Sequence, residues 1–349
     1  MRAEATADVI EDADLLRWRM HAQFAGAAHG VAEIARRSAG LQAQDGPAVG
    51  PALRARGLRG PEKLRQAYEA GEVVSTWLMR NTLHLVPAQD AGWLLGLFGE
   101  RNLSAGERRR RELGLTARVC AEALAALPAL LDEPRSRADL IAGLRARGVA
   151  VEPSGQAPAH LMAYAAAHGV LCRGGEVSPR EPGYRPLPAG GRELDGAQAL
   201  AELARRYAAA FGPAAPADFA AWSGLTRAAA RRGFEAAGLT EAAPGLYAAP
   251  GAAPPPPGPP LVRLLGPYDT YLLGYRSRDL MLDPSRAARI NAGGGVIRPA
   301  LVVDGRVLGT WRREGVQVLV EPFGRLPSSL RPAVEEEVAD VGRFLGVRN

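Results

Sequence analysis

Helical segments followed by strand-like segments recur along this chain, and this repeating order limits the folds that the chain can adopt. In the first group, apolar residues from Leu15 begin a helix, and shorter helical segments follow. Residues 73–78 and 82–86 then predict two strands around a tight turn at Arg80-Asn81. Helices followed by a hairpin are typical of winged-helix domains. The pattern alone, however, favours a generic α+β domain.

The second and third groups repeat this order with little sequence identity. Ser136 is placed to cap a helix over 137–148, a second helix is predicted over 156–168, and a strand over 170–177. The third group begins near Leu200 with helices ending near 212, 225 and 237. We therefore expect an α+β protein with three tandem helix-and-strand units and a C-terminal β-rich segment.

The boundaries between these parts follow changes in composition. Residues 249–260 are rich in proline and predict an extended connector, not a helix. Beyond it, Asp304-Gly305 lies between two apolar runs and predicts a two-residue hairpin turn, and residues 332–345 predict a closing helix. The predicted parts are 1–118, 119–195, 196–262 with the connector, and 263–349.

Composition excludes several classes of protein. Only two cysteines, Cys120 and Cys172, occur in the 349 residues, and the five histidines form no metal-binding spacing, so we expect no disulfide framework, metal or other cofactor. The N-terminal residues 1–8 contain no apolar signal core, and no apolar run approaches the roughly 20 residues that a membrane span needs. We expect a cytoplasmic protein, a monomer, without a membrane partner.

The charge of the chain favours an anionic partner, but only modestly. The formal net charge is +6, and Lys63 is the only lysine. The planar guanidinium group of arginine can make bidentate contacts with phosphate and guanine. However, an abundance of Ala, Gly, Pro and Arg is also typical of proteins encoded by a GC-rich genome. The positive sign of the charge is therefore better support for nucleic-acid binding than the preference for arginine.

Two polar motifs stand out against this background. Gln42 and Gln44 follow a predicted helix at a spacing that points two side chains the same way on an extended segment. In the second motif, Thr82 and His84 share one face of a predicted strand. By themselves, two nearby glutamines are most often surface residues, and a lone strand histidine most often makes a structural hydrogen bond.

Taken together, these motifs resemble the AlkZ/YcaQ family of alkylpurine DNA glycosylases. The resemblance implies that the fold consists of three tandem winged-helix units with a C-terminal β-rich segment. The resemblance extends from about Leu15 to the C-terminus and includes the segments at 266–276 and 309–313. It implies that Gln42 and Gln44 are catalytic. The YcaQ branch carries an acidic residue at the second position of the motif, where this chain has Gln44, so the chain is more similar to the AlkZ-like branch.

The resemblance also implies further residues of the site. The run containing Arg80, Thr82 and His84 is expected near the glutamine motif, where these residues would contact the DNA backbone or orient the catalytic segment. Asp45 and Asp269 are candidates for supporting groups, and Asp269 is equally a candidate cap or turn residue.

The predicted hairpin at 301–310 is a candidate probe of a DNA groove. Its Arg306 lies just past the turn, and the adjacent Arg312 and Arg313 are candidate phosphate contacts. The competing interpretation, that this hairpin only completes a sheet and that Arg306 is solvated, fits the sequence equally well.

The predicted function is that of a monofunctional DNA glycosylase acting on double-stranded DNA with bulky cationic alkylpurines. N7-alkylguanine and N3-alkyladenine already carry positive charge, so neutral amides that stabilise an oxocarbenium-like sugar and position water would suffice. Two alternatives remain open on the sequence, a winged-helix regulator without catalysis and a protein that sequesters a genotoxin.

Overall fold

A computed structural model of the chain describes residues 10–26, 30–179 and 181–347. Residues 1–8, for which the sequence predicts no signal core, lie outside the described residues. The described helices are α1 Asp12–Phe24, α2 Val31–Arg37, α3 Gly46–Ala55, α4 Glu62–Glu69, α5 Ala91–Glu112, α6 Ala117–Ala126, α7 Arg137–Ala146, α8 Ala157–Ala167, α9 Gly196–Phe211, α10 Pro216–Ser223, α11 Arg227–Ala236, α12 Thr270–Leu273, α13 Ala287–Ile290 and α14 Arg331–Leu345. The strands are β1 Leu41–Gln42, β2 Val73–Trp77, β3 Leu83–Pro87, β4 Leu171–Ser178, β5 Glu181–Pro186, β6 Thr240–Ala243, β7 Leu246–Ala248, β8 Val262–Leu265, β9 Ala300–Val303, β10 Arg306–Glu314 and β11 Gln317–Pro322.

The α+β class predicted from the sequence is confirmed, and the chain divides into two compact units. One unit combines residues 1–61 with 200–349, and the other contains residues 62–199. The larger unit is thus assembled from two distant stretches of the chain. The number of winged-helix units and the four-part division remain predictions.

Residues 62–199 form a unit with helices around antiparallel strands. The strands β3, β2, β4 and β5 are neighbours in that order, and Thr76 pairs with His84 across β2 and β3. Every residue of β2 and β3 is buried, because α5 and α8 pack against β2. Ser136 caps α7 by accepting a hydrogen bond from the Asp139 backbone N–H at 3.1 Å, as the sequence predicted.

The other unit contains a second antiparallel sheet in the order β11, β10, β9, β8. The predicted turn is confirmed, because Asp304 and Gly305 have φ angles of 43° and 87°, as a two-residue hairpin turn requires. Leu264 and Leu301 of the sheet pack in one apolar cluster with Val341 of α14. The connector at 249–260 contains no helix or strand, as predicted.

Helix α3 is tied to this sheet and to α14 by a buried arginine. The Arg54 guanidinium donates to Glu337 at 2.7 Å, to Asp340 at 2.9 Å and to the Leu264 carbonyl at 2.7 Å. The side chains of Arg54 and Glu337 are only 3% and 8% exposed. Glu337 also accepts a hydrogen bond from the Leu264 backbone N–H at 2.8 Å. The ion pair therefore joins three elements at one point.

Within the described residues, no single helix has both the length and the apolar character required to cross a membrane. One pair of segments, Ala88–Glu112 and Ala117–Leu130, meets that requirement jointly by length and composition alone, with a bend of 113° between them.

Replacing Glu337 by Ala should lower the free energy of unfolding by about 3 kcal/mol, because it leaves the buried Arg54 partly uncompensated while Asp340 still pairs with it. Equilibrium denaturation in urea measures this loss. The control is Glu335→Ala, which removes an exposed carboxylate of the same helix and should change stability by no more than about 0.5 kcal/mol. Equal effects of the two substitutions would contradict a stabilising role for the buried pair.

Candidate functional site

The glutamine motif occupies a short extended segment between two helices. After α2, Ala39 and Gly40 adopt left-handed conformations with φ of 54° and 97°, and they redirect the chain into β1. Leu41 and Ala43 are buried, whereas Gln42 is half-buried and Gln44 is exposed. The alternation predicted from the sequence is therefore observed, with the two glutamines on the face turned away from the core.

A hydrogen bond within the motif orients the first glutamine. The Gln44 backbone N–H donates to Oε1 of Gln42 at 3.1 Å. The carbonyl oxygen of the Gln42 amide is thus identified by its donor, and the amide NH₂ group points away from this bond. The local backbone itself therefore fixes the orientation of Gln42 before any substrate arrives.

Asp45 follows the motif at the start of α3. It is half-buried, and its side chain makes no capping hydrogen bond with the helix. Its carboxylate lies where the partial positive charge of a helix N-terminus favours an anion. The motif thus combines two neutral amides with one adjacent carboxylate.

Asp269 has a structural role that accounts for its burial. Arg56, just past the end of α3, donates to both Asp269 carboxylate oxygens at 2.8 and 2.9 Å and to the Thr270 hydroxyl at 2.9 Å. Asp269 also caps α12 by accepting from the Tyr271 backbone N–H at 2.9 Å. Of the two interpretations of Asp269, the cap is the one that the contacts support, and the sequence did not reveal Arg56 as its partner.

In the unit of residues 62–199, a strained turn joins β2 to β3. Arg80 and Asn81 both have positive φ angles, 52° and 57°, which side chains other than glycine rarely adopt. The amide of Asn102 donates to the Leu78 carbonyl at 2.9 Å, and the Thr82 hydroxyl donates to the Met79 carbonyl at 3.0 Å. These bonds hold the turn and leave Arg80 exposed at its apex.

His84 is a buried neutral imidazole. It is 2% exposed, and burial, followed by the nearby Arg80 charge, lowers its pKa to about 4 despite a hydrogen bond that acts in the other direction. Nδ1 lies 2.9 Å from the Thr82 carbonyl, which can only accept, so Nδ1 carries the proton. Nε2 is then an acceptor, which suits a positioning role better than a direct phosphate contact.

The glutamine motif and the Arg80–His84 run belong to different compact units. Their predicted proximity, and the roles assigned to all of these residues, remain predictions.

The predicted groove probe at 301–310 needs correction. Its turn is packed inside the fold, because Gly305 is buried against Leu16 of α1 and its N–H lies 2.9 Å from the Met20 sulfur. The tip of this hairpin therefore does not project, and the interpretation that it completes a sheet fits the structure. Arg306 itself is exposed, so a phosphate contact by its side chain remains a prediction.

Arg312 and Arg313 lie instead on the hairpin formed by β10 and β11. Val316 at the tip of that hairpin is 63% exposed. Arg312 forms ion pairs with Glu314 and Glu321, and Arg313 donates to the Gly315 carbonyl. A phosphate contact by Arg312 would compete with these two carboxylates, whereas the terminal N–H groups of Arg313 are not used in its bond to Gly315.

The described residues contain no group of three or more His, Cys, Asp or Glu side chains arranged to hold a metal ion. The two cysteines are buried thiols, and burial raises the pKa of Cys172 to about 11.

Comparisons with known proteins agree on one family. A family model described as DNA glycosylase AlkZ-like matches residues 35–344. The Streptomyces sahachiroi protein named interstrand DNA cross-link repair glycosylase is 29% identical over an alignment of 364 positions, which covers 95% of each chain. The solved structure of the Streptomyces sahachiroi DNA glycosylase AlkZ matches with a TM-score of 0.82 and 27% identity, covering 97% of this chain and 98% of that one.

The buried state of His84 predicts how stability depends on pH. Its pKa falls from 6.5 to about 4 on folding, so between these values the unfolded chain binds the proton more readily. The contribution of the neutral His84 to the free energy of unfolding is fully present above pH 6.5. It is lost as the pH falls toward 4, and it amounts to on the order of 3 kcal/mol in total. Urea denaturation from pH 7 to pH 4.5 should show this slope, and His84→Gln should flatten it.

His168→Gln is the matched control. His168 is exposed, so it contributes less to the difference in proton binding between the folded and the unfolded chain. If His84→Gln and the wild type lose stability equally between pH 6.5 and 4.5, His84 is not buried in its neutral form.

Proposed function

The chain belongs to the AlkZ-like DNA glycosylase family, and we propose that it hydrolyses the N-glycosidic bond of bulky, cationic alkylpurines in double-stranded DNA without cutting the strand. The observation that carries this proposal is the pair of glutamine side chains on the exposed face of one short segment, with the amide of Gln42 oriented by Gln44. The family model matches nearly the whole chain, and the matched residues include the glutamine motif.

Neutral amides fit the chemistry of a cationic leaving group. As the bond between the base nitrogen and C1′ breaks, its electron pair goes to the base, which leaves neutral. Positive charge develops on the sugar, where oriented amide oxygens can stabilise it. The oxygen of a water molecule then bonds to C1′, and the proton it loses passes to solvent. Asp45 is the nearest carboxylate in sequence that could assist this last step.

The chemistry defines the substrate class. An N7-alkylguanine or N3-alkyladenine carries its charge before the reaction, so the enzyme does not need to protonate the base. The relative in Streptomyces sahachiroi is named for repair of interstrand cross-links. We extend this to the present chain and propose that its substrates include bulky adducts and cross-links, in repair of or self-resistance to a DNA-alkylating natural product.

The strand is proposed to remain intact because, within the described residues, no lysine amine is placed to form a Schiff base with the sugar. Lys63, the only lysine, is exposed in α4. Water is then the expected nucleophile. The enzyme is proposed to act as a monomer in the cytoplasm, and Arg80, Arg306, Arg312 and Arg313 are its proposed backbone contacts.

Replacing Gln42 or Gln44 by Ala should each reduce base release roughly 10²-fold or more, as for other preorganised groups that stabilise charge in the transition state. Affinity for the duplex should stay near that of the wild type, because the amides act on the transition state. Single-turnover assays with a defined N7-alkylguanine duplex measure the rate, and anisotropy measures affinity. Gln66→Ala removes an exposed glutamine elsewhere and serves as the control.

Near-normal excision by both single variants would remove the basis of the catalytic assignment. Tight binding of the free alkylating agent, with no base released by the wild type, would favour sequestration instead.

Borohydride should trap no covalent complex between the protein and lesion-bearing DNA. The product should be an intact strand with an abasic site, which alkali or heat then cleaves. Denaturing gels separate these species. Efficient trapping that disappears in Lys63→Ala would show that an amine attacks the sugar and that the enzyme is bifunctional.

A further inference from the structure

A cavity in the unit of residues 62–199 has no role in the site described above. It has a volume of about 390 Å³ and lies beside the start of α7, the loop that precedes α8 and the β4–β5 hairpin. Its lining includes Arg137, Ile141, Ser154, Pro158, Arg173 and Tyr184. Apolar side chains thus form part of the wall, and two guanidinium groups supply positive charge.

Arg173 is held on an aromatic platform. Its guanidinium carbon lies 5.6 Å from the ring centres of both Trp77 and Tyr184, and its Nε lies 3.4 Å from the Tyr184 hydroxyl. Within the described part of the chain, Arg173 forms no ion pair with a carboxylate. By contrast, surface arginines of the same unit such as Arg108 and Arg118 pair with glutamates one helical turn away. The cation of Arg173 is therefore half-buried, oriented and not neutralised.

Arg137 supplies the second charge from the cavity rim. It is the first residue of α7, where the helix start adds a partial positive charge, and it is exposed. No described carboxylate forms an ion pair with it. The cavity also contains Glu181, whose carboxylate accepts a hydrogen bond from the Ser178 hydroxyl at 2.8 Å. Two cations face one such carboxylate, so the lining is positive overall.

We propose that this cavity binds a phosphodiester of the DNA backbone, gripped between Arg137 and Arg173. A planar guanidinium donates in parallel to two phosphate oxygens, and a stacked guanidinium loses little freedom on binding. The apolar wall suits the adjoining deoxyribose. This assignment rests on the proposed function, because that function supplies DNA as the ligand, and it adds an anchoring site apart from the glutamine motif.

The test is the salt dependence of binding to a lesion-free duplex, measured by anisotropy over a series of NaCl concentrations. Arg137→Gln and Arg173→Gln should each weaken binding and reduce the slope of log K against log salt by about one. The double variant should lose no more slope than either single variant, because both arginines hold the same phosphate. Arg173→Lys keeps the charge and should retain the slope while binding more weakly.

Arg147→Gln is the matched control. It removes one exposed arginine from the opposite end of α7, where the Arg147 side chain donates to the Gly143 carbonyl. Its slope should equal that of the wild type. If Arg137→Gln and Arg173→Gln bind like Arg147→Gln, the cavity does not hold the DNA backbone.

Two further measurements distinguish a DNA backbone site from a free phosphate site and from a loss of folding. If inorganic phosphate raises the melting temperature of the wild type but not of Arg173→Gln, and duplex binding is unchanged, the cavity takes a free phosphate and the proposal fails. If Arg173→Gln does not fold by circular dichroism, Arg137→Gln decides, because Arg137 is exposed. A wild type that releases no base but shows the predicted slopes would contradict the proposed function and leave this site standing.

Discussion

Two buried arginines at the end of helix α3, each held in ion pairs, fix the segment on which the proposed chemistry depends. Arg54 joins the helix to Glu337 and Asp340, and Arg56 joins it to Asp269, with little of either guanidinium exposed. Charges at such depth are costly to leave unpaired, so each partner is required for the other to be buried. The glutamine motif enters α3 directly, and its position therefore depends on contacts made by residues more than 200 positions later in the chain.

The same dependence on paired polar groups appears in the motif itself. A glutamine amide is a weak base, and in the proposed reaction an orientation fixed by the neighbouring backbone N–H is what would make it useful against a developing cation. Such a site would serve poorly for a neutral base, which needs a proton before it can leave. In the proposed reaction the base is already cationic and does not have to be protonated, which is why neutral glutamines would suit such a lesion.

The sequence predicted local structure well and distant partners poorly. Alternation correctly placed Gln42 and Gln44 on one face of their segment, and Asp304-Gly305 correctly predicted a turn. Whether that turn projects or completes a sheet stayed open on the sequence, because nothing near it in sequence indicates that α1 covers it. The partner of Asp269 and the pairing of Arg137 with Arg173 in one cavity were missed for that reason: each depends on residues that only the folded chain brings together. The roles of the site residues remain predictions in either case.

In the proposed reaction, the positive charge of the lesion replaces protonation of the leaving base. The most direct test compares two duplexes that differ in one atom, one with an N7-alkylguanine and one with the 7-deaza-7-alkylguanine of the same shape, which carries no charge. Base release is measured under single-turnover conditions with protein in excess. The account predicts rapid release of the N7-alkylguanine and no detectable release of its neutral analogue. Comparable release of both would contradict it.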